Sequence, residues 1–421
     1  MHRGLLALLP LTASLAVAST PVAAIGETCD GRAATIVAVE GRATYGTEGD
    51  DVIVGSEGPD VVRAGGGHDV VCGLGGGDEL YGGAGDDRLF GGLSGRDENG
   101  SYLADLVVPG AGDDTIDVGL DPEALTQGPE DNGPGFDSIS WEDSPAGVTV
   151  DLVAGTAVGE GSDTIVLHPA IGVVGSGRSD TVMGSDRDEV INTGPGDDVV
   201  TAAGGDDSVS TRSGDDRVDS GDGDDYVALG NGADDVDTGP GADFVDVQRG
   251  ASGSTVVTGA GEDHILVSAI ADIDSGGGRD EWLMVLLADR ERFDAAGGPA
   301  RDAITVIPRG PGRTGAPTTW DNARGRVSTD TALLGRTSGF EHLVLADGVG
   351  WTFIGSGRDE VVDAYALASS VVLRGRGGDD RLSGTRNDDV LDGGTGRDVI
   401  RGADGRDACR RGEDVSGCEL G

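Results

Sequence analysis

The chain has 421 residues, with 76 acidic against 30 basic side chains and a formal net charge of -46. Such a surface repels phosphate, which excludes a nucleic-acid partner and makes cations the natural counter-partner. Glycine supplies 78 residues and aromatics only 4%, a composition that alone reads as disordered, yet 37% of residues are hydrophobic and evenly spaced.

The first 24 residues, MHRGLLALLPLTASLAVASTPVAA, place Arg3 ahead of an apolar run ending in small residues, at Ala16-x-Ala18 and Val22-x-Ala24. This is the pattern of a secretory signal peptide over 1–24. The run is short for a membrane span and Pro10 interrupts it; no later segment is apolar enough, so no membrane span is expected. Residues 25–45 read as an N-terminal cap. Four cysteines follow the leader: Cys29, Cys72, Cys409 and Cys418. An even number in an exported chain predicts two disulfides, with three connectivities open. No CxxC pair and no neighbouring histidine favours zinc.

From residue 46 the sequence repeats every nine residues: GTEGDDVIV, GSEGPDVVR, AGGGHDVVC, GLGGGDELY, GGAGDDRLF, two worn units, then PGAGDDTID, ending at 117. Eight units thus share one frame over 46–117. The worn unit 91–99 has Arg96 where an aspartate is due and Glu98 where an apolar residue is due. A second block spans 175–283 and holds eight units in frame to 246, then isolated ones at 258 and 275. A third spans 355–421, with units from 375 to 419 after a two-residue slip. Between the blocks, 118–174 and 284–354 contain strand-like runs, GVTVDLVAG and FEHLVLADG, and each leads into a GSGR unit. We expect β-structure that continues or caps the repeats there.

The consensus is G-G-x-G-x-D-x-U-x, with U a large apolar residue. Glycine-rich positions 1 to 6 suit a turn, and positions 7 to 9 a short strand. Alternation puts position 8 on one face: Ile53, Val62, Val71, Leu80 and Leu89, then Ile191, Val200, Val209, Val218, Val227, Val236 and Val245. Those side chains predict a thin core.

This consensus resembles the haemolysin-type, or RTX, calcium-binding repeat. The resemblance implies an all-β chain: a parallel β-roll, or β-solenoid, in which two nonapeptides make one coil and each loop stacks on the loop eighteen residues away. It also implies multiple Ca2+ ions held by position-6 carboxylates and turn carbonyls. On this sequence the position-6 residues are Asp51, Asp60, Asp69, Asp78, Asp87, Asp105 and Asp114 in the first block. In the second they are Asp180, Glu189, Asp198, Asp207, Asp216, Asp225, Asp234, Asp243, Asp263 and Asp280. In the third they are Asp380, Asp389, Asp398 and Asp407, while Glu360, like Glu189, stands where aspartate is usual. Position 5 is often acidic too, as at Asp50, Asp86, Asp197, Asp206, Asp215 and Asp224. We read those residues as outer field and solubility. Because neighbouring units face each other across such a roll, Cys409–Cys418 would staple the last coil and Cys29–Cys72 would tie the N-terminal segment to the third unit.

The function expected is a secreted, extracellular calcium-binding β-roll without catalysis, structural, surface-bound or adhesive, whose repeats fold on binding Ca2+. A cell-surface or matrix polysaccharide is a partner to test. The alternative is a calcium-dependent extracellular hydrolase or lyase acting on polysaccharides, with its site in the inserts. There is no HExxH helix and no GxSxG elbow, and the five histidines, His2, His68, His168, His264 and His342, are dispersed. A pore-forming toxin is excluded by the leader and by the lack of long apolar N-terminal helices.

Overall fold

The computed structural model describes residues 27–39, 41–96, 102–119, 136–168, 171–248, 250–251, 253–268, 271–280, 282–287, 293–299, 301–308, 317–329, 333–346, 350–364 and 367–419. The leader assigned to 1–24 lies outside them. Short strands alternate between two facing sheets, and among the described residues the helical structure is one 3-10 turn, Asn322–Arg324. No described helix is long and apolar enough to cross a membrane. Among the described residues sheet one runs through 18 strands from Thr44–Tyr45 to Asp414–Ser416, all paired in parallel. Sheet two runs from Ile36–Val37 to Ala408–Arg410 and is parallel except at two places. This is the β-solenoid expected.

The nine-residue period builds it directly. Each unit contributes one strand, successive units go to opposite sheets, and every second unit stacks. Val52, Ile53 and Val54 therefore pair with Val70, Val71 and Cys72, and Val209 pairs with Val227, then Val245. Position 8 faces inward on both sheets, so Ile53, Leu80, Val209, Val227 and Leu391 are all 0% exposed and belong to one continuous core. Each rung buries little more than one such side chain. Leu391→Ala removes most of one rung's apolar contribution and is expected to cost about 2–5 kcal/mol. Denaturant unfolding of the calcium-loaded chain checks this.

The first block does not stack all eight of the units that share its frame. Strand Glu79–Ala84 pairs directly with Leu106–Ala111, and Arg88–Leu93 with Thr115–Asp117, both 27 residues apart. One nonapeptide's worth of chain is left out of the stack and forms a small antiparallel pair, Gly95–Arg96 with Tyr102–Leu103. A rung needs an apolar residue at position 8, and Glu98 cannot supply one. The sequence frame survives the excursion because 27 is three periods.

Both inserts continue the solenoid on the same plan. Strands Thr149–Asp151, Thr156–Val158 and Ser162–Ile165 form an antiparallel meander within sheet two. The third of them pairs with Thr115–Asp117 behind it, and the first with Thr181–Met183 ahead. Thr318–Asp321, Arg326–Thr329 and Leu333–Ser338 repeat this arrangement, joined to Phe293–Ala296 and Thr352–Ile354. These wider coils are filled by larger side chains: Trp141, Phe293, Trp320, Trp351 and Phe353 are buried, with Trp320 and Trp351 ring centroids 6.5 Å apart. Both expected disulfides are present. Cys29–Cys72 sits on the outer face of sheet two with Val54 and Val70, and Cys409–Cys418 closes the last coil.

Candidate metal centre

The loops stack into two edges, one feeding each sheet. On the edge entering sheet two lie Asp51, Asp69, Asp87 and Asp114, then Asp180, Asp198, Asp216 and Asp234, and finally Asp389 and Asp407. On the other edge lie Asp60, Asp78 and Asp105, then Glu189, Asp207, Asp225, Asp243, Asp263 and Asp280, and finally Asp380 and Asp398. All are buried, between 0% and 7% exposed. Burying so many carboxylates is costly unless each oxygen finds a positive partner.

One oxygen of each stacked carboxylate does. Asp69 Oδ1 accepts from the backbone N–H of Asp51 at 2.7 Å, Asp78 Oδ1 from Asp60, and Asp87 Oδ1 from Asp69. The same bond links Asp198 to Asp216, Asp207 to Asp225, Asp225 to Asp243, and Asp380 to Asp398. Position 6 thus reaches back one coil and ties its loop to the loop before it. The second oxygen is the open one. Oδ2 of Asp69, Asp78, Asp87, Asp105, Asp114, Asp207, Asp380, Asp398 and Asp407 is buried with no hydrogen-bond partner.

Burial sets the charge of these groups. Desolvation pushes the Asp78 carboxyl up to about 7, and the backbone N–H of Asp60 opposes the rise without cancelling it. Asp105 is pushed to about 8, chiefly by burial and then by the Asp137 carboxylate, and Asp114 to about 7. Asp225 rises to about 6 and Asp243 to about 7, again mainly through burial. Asp207 is also raised by burial, with Glu189 and Asp225 adding repulsion.

Position 5 has a structural part beyond the outer field read for it. Its side chain reaches forward one coil. Asp197 Oδ1 accepts from the N–H of Asp215, Asp206 Oδ1 from Asp224, and Asp224 Oδ1 from Ala242, at 2.7 to 2.9 Å. His68 takes the same place with Nδ1, which accepts from Asp86 N–H, while Asp50 Oδ1 accepts from His68 N–H. Positions 5 and 6 therefore stitch the loops in opposite directions, one exposed and one buried.

Five further carboxylates join the ladder beyond those read from the repeats, and three of them are buried. Asp137 Oδ1 accepts from Asp105 N–H, Asp163 from Asp114 and Asp302 from Asp280. Half-buried Glu341 accepts from Asp302 and exposed Glu413 from Asp398, while Glu360, already read from the repeat, occupies its rung above Asp380. The first three had a signal: GPGFDSIS, GEGSDTIV and GGPARDAIT each keep the aspartate two residues before an apolar one, behind a glycine-rich turn.

The residues fit a hard, oxygen-seeking cation. The donor set is carboxylate and backbone carbonyl, which calcium accepts as six to eight oxygens. Among the described residues no three His, Cys, Asp or Glu side chains converge. A centre here thus combines one or two carboxylates with loop carbonyls. Space at the loop is tight. A Cβ on Gly73 would stand 2.2 Å from Asp78 Oδ2 and 2.5 Å from the Gly91 carbonyl oxygen, so position 1 admits only glycine there. Stacked glycine-rich loops that bury donorless carboxylate oxygens define a calcium-binding β-solenoid.

The family comparison agrees. The RTX calcium-binding nonapeptide repeat model, of four copies, matches residues 45–80, 73–94, 174–209, 210–245 and 374–408. Those stretches carry RTX calcium-binding repeats, and the calcium-binding character of the solenoid follows from them. No curated protein matches it.

Proposed function

We propose that this is a secreted protein whose repeats fold on binding Ca2+ outside the cell, and that the folded roll serves as a structural, surface or adhesive element without catalysis. The observation that carries this reading is the file of buried Oδ2 atoms without a donor. Calcium, when bound, supplies the positive charge those oxygens lack. The residues then hold adjacent loops in register through the position-6 N–H bonds, and the position-8 side chains close the core.

Two disulfides support export, because an oxidising compartment is where such bonds persist. The outer face of sheet one supports a surface role. There Tyr226 and Phe244 stack with centroids 5.5 Å apart, and His264 meets Phe244 edge-on at 6.4 Å. A polysaccharide of the cell surface or matrix is the partner class to test. Incubating the calcium-loaded protein with acidic and neutral polysaccharides is expected to give no turnover. Robust depolymerisation would favour a calcium-dependent enzyme instead. Equilibrium dialysis with radioactive calcium is expected to show several ions per chain, and a chain that binds none at millimolar calcium overturns the reading.

A further inference from the structure

We propose that a serine or threonine at position 2 takes the place of calcium where it helps satisfy both oxygens of its rung's carboxylate, so that such rungs hold no ion and the rungs that keep a donorless oxygen hold the calcium. This rests on the calcium reading above and divides its sites into two kinds.

In the first kind the loop satisfies its own carboxylate. Thr47 donates from both N and Oγ1 to Asp51 Oδ2 at 2.8 Å, and Thr35 Oγ1 donates to Asp51 Oδ1. Ser176 donates from N to Asp180 Oδ2 and from Oγ to Oδ1, both at 2.7 Å, and Val148 N–H donates to Oδ1 as well. Thr385 donates from N to Asp389 Oδ2 at 2.6 Å and Val371 N–H to Oδ1 at 2.8 Å. Ser185 does the same for Glu189, one donor to each oxygen. A carboxylate with two satisfied oxygens has no need of a cation. Ser56 and Ser356 are partial cases, since Asp60 Oδ1 and Glu360 Oε2 remain without a donor.

In the second kind no position-2 donor arrives. Position 2 is often left-handed there, even where it is not glycine: Leu74, Ala203, Arg376 and Ala403 have φ between 75° and 85°. L-residues rarely adopt this conformation, so the loop is held in it against local preference. The carboxylates of those four rungs, Asp78, Asp207, Asp380 and Asp407, are at most 1% exposed and keep Oδ2 without a donor. Asp216 and Asp302 are open as well, although Arg212 and Gly298 at position 2 are not left-handed. A missing hydroxyl, rather than φ alone, separates the classes, and the hydroxyl can also come from position 1: Thr238 Oγ1 donates to Asp243 Oδ2 at 2.5 Å, which places that rung with the satisfied ones. The capped rungs also have a place: the first two units of the first and second blocks carry Thr47, Ser56, Ser176 and Ser185, and Ser356 opens the third. Each block starts on loops that supply some or all of their own compensation.

Equilibrium dialysis with radioactive calcium on the full chain tests this. The triple variant Asp78→Asn, Asp207→Asn, Asp398→Asn is expected to lose about three ions, and Asp51→Asn, Asp180→Asn, Asp389→Asn none. Thr385→Gly is expected to gain about one. Equal losses from both triples overturn the division, whereas a wild-type chain that binds no calcium fails the calcium reading itself. If a triple variant does not fold, anomalous diffraction from terbium-soaked wild-type crystals decides. Peaks beside Asp78, Asp207 and Asp398 but not beside Asp51, Asp180 and Asp389 are expected, and peaks at both sets overturn it.

Discussion

Removing calcium at neutral pH is expected to abolish most of the β-sheet signal in far-UV circular dichroism, and restoring millimolar calcium to return it. Each open rung buries a carboxylate whose Oδ2 meets no donor, as at Asp69, Asp78, Asp87, Asp398 and Asp407. An uncompensated buried charge costs several kcal/mol even after relaxation. Burying one apolar side chain such as Leu80 or Leu89 returns about 1.5–3 kcal/mol, and ordering the nine residues of the unit opposes it further. A rung without its ion is therefore unstable, and in a solenoid each rung is supported only by its neighbours. The overall charge of -46 works in the same direction. The two disulfides lie near the ends of the described chain, Cys29–Cys72 and Cys409–Cys418, and cannot hold the middle block together. Identical spectra with calcium and with excess chelator would sink this account.

Much of this was legible because the repeat is strict. Position 8 named the core residues one by one, and the eighteen-residue stacking of Asp198 on Asp216 and of Asp207 on Asp225 followed from the frame together with the two-unit coil that the family resemblance implies. The Cys409–Cys418 pair followed from two position-8 cysteines facing each other across the roll that the resemblance implies, whereas Cys29 lies ahead of the frame and pairs with Cys72 all the same. The frame was also what hid the rest. Asp137, Asp163 and Asp302 lie in single units out of phase with their neighbours, so their turn-and-strand signal had no repetition behind it. The excursion after Leu93 kept the nine-residue count and so looked like two worn rungs. The direction in which a loop side chain reaches was not legible at all. Asp224 and Asp225 are adjacent and chemically identical, yet one accepts from the coil ahead and stays exposed while the other accepts from the coil behind and is buried. The turn's backbone decides that, and composition carries no trace of it.

Acidifying the calcium-free chain from about pH 8 to about pH 5 is expected to restore β-structure, because protons substitute for the missing cations. Burial raises Asp87 and Asp225 to about 6, Asp78 and Asp114 to about 7, and Asp105 to about 8, from an ordinary value of 3.8. A carboxyl whose folded pKa is raised binds its proton more tightly in the fold than in the unfolded chain. Its contribution to stability is thus fully present below 3.8 and is lost as pH rises through the window from about 6 to about 8. Two groups act in the opposite sense. Asp117, bonded to His168 at 2.7 Å, and Asp363, bonded to His342 at 2.9 Å, are lowered by those bonds and stabilise the fold above the ordinary carboxyl range. Their contribution fades only as pH falls below that range, so it does not offset the raised set at pH 5. With calcium present the dependence inverts, because protons compete with the ion for the same Oδ2 atoms and apparent calcium affinity falls with pH. The measurement is circular dichroism against pH, on protein stripped of calcium at high pH by gel filtration and on the same protein in millimolar calcium. A stripped chain that gains no β-signal on acidification would show that the buried carboxylates are not what unfolds it.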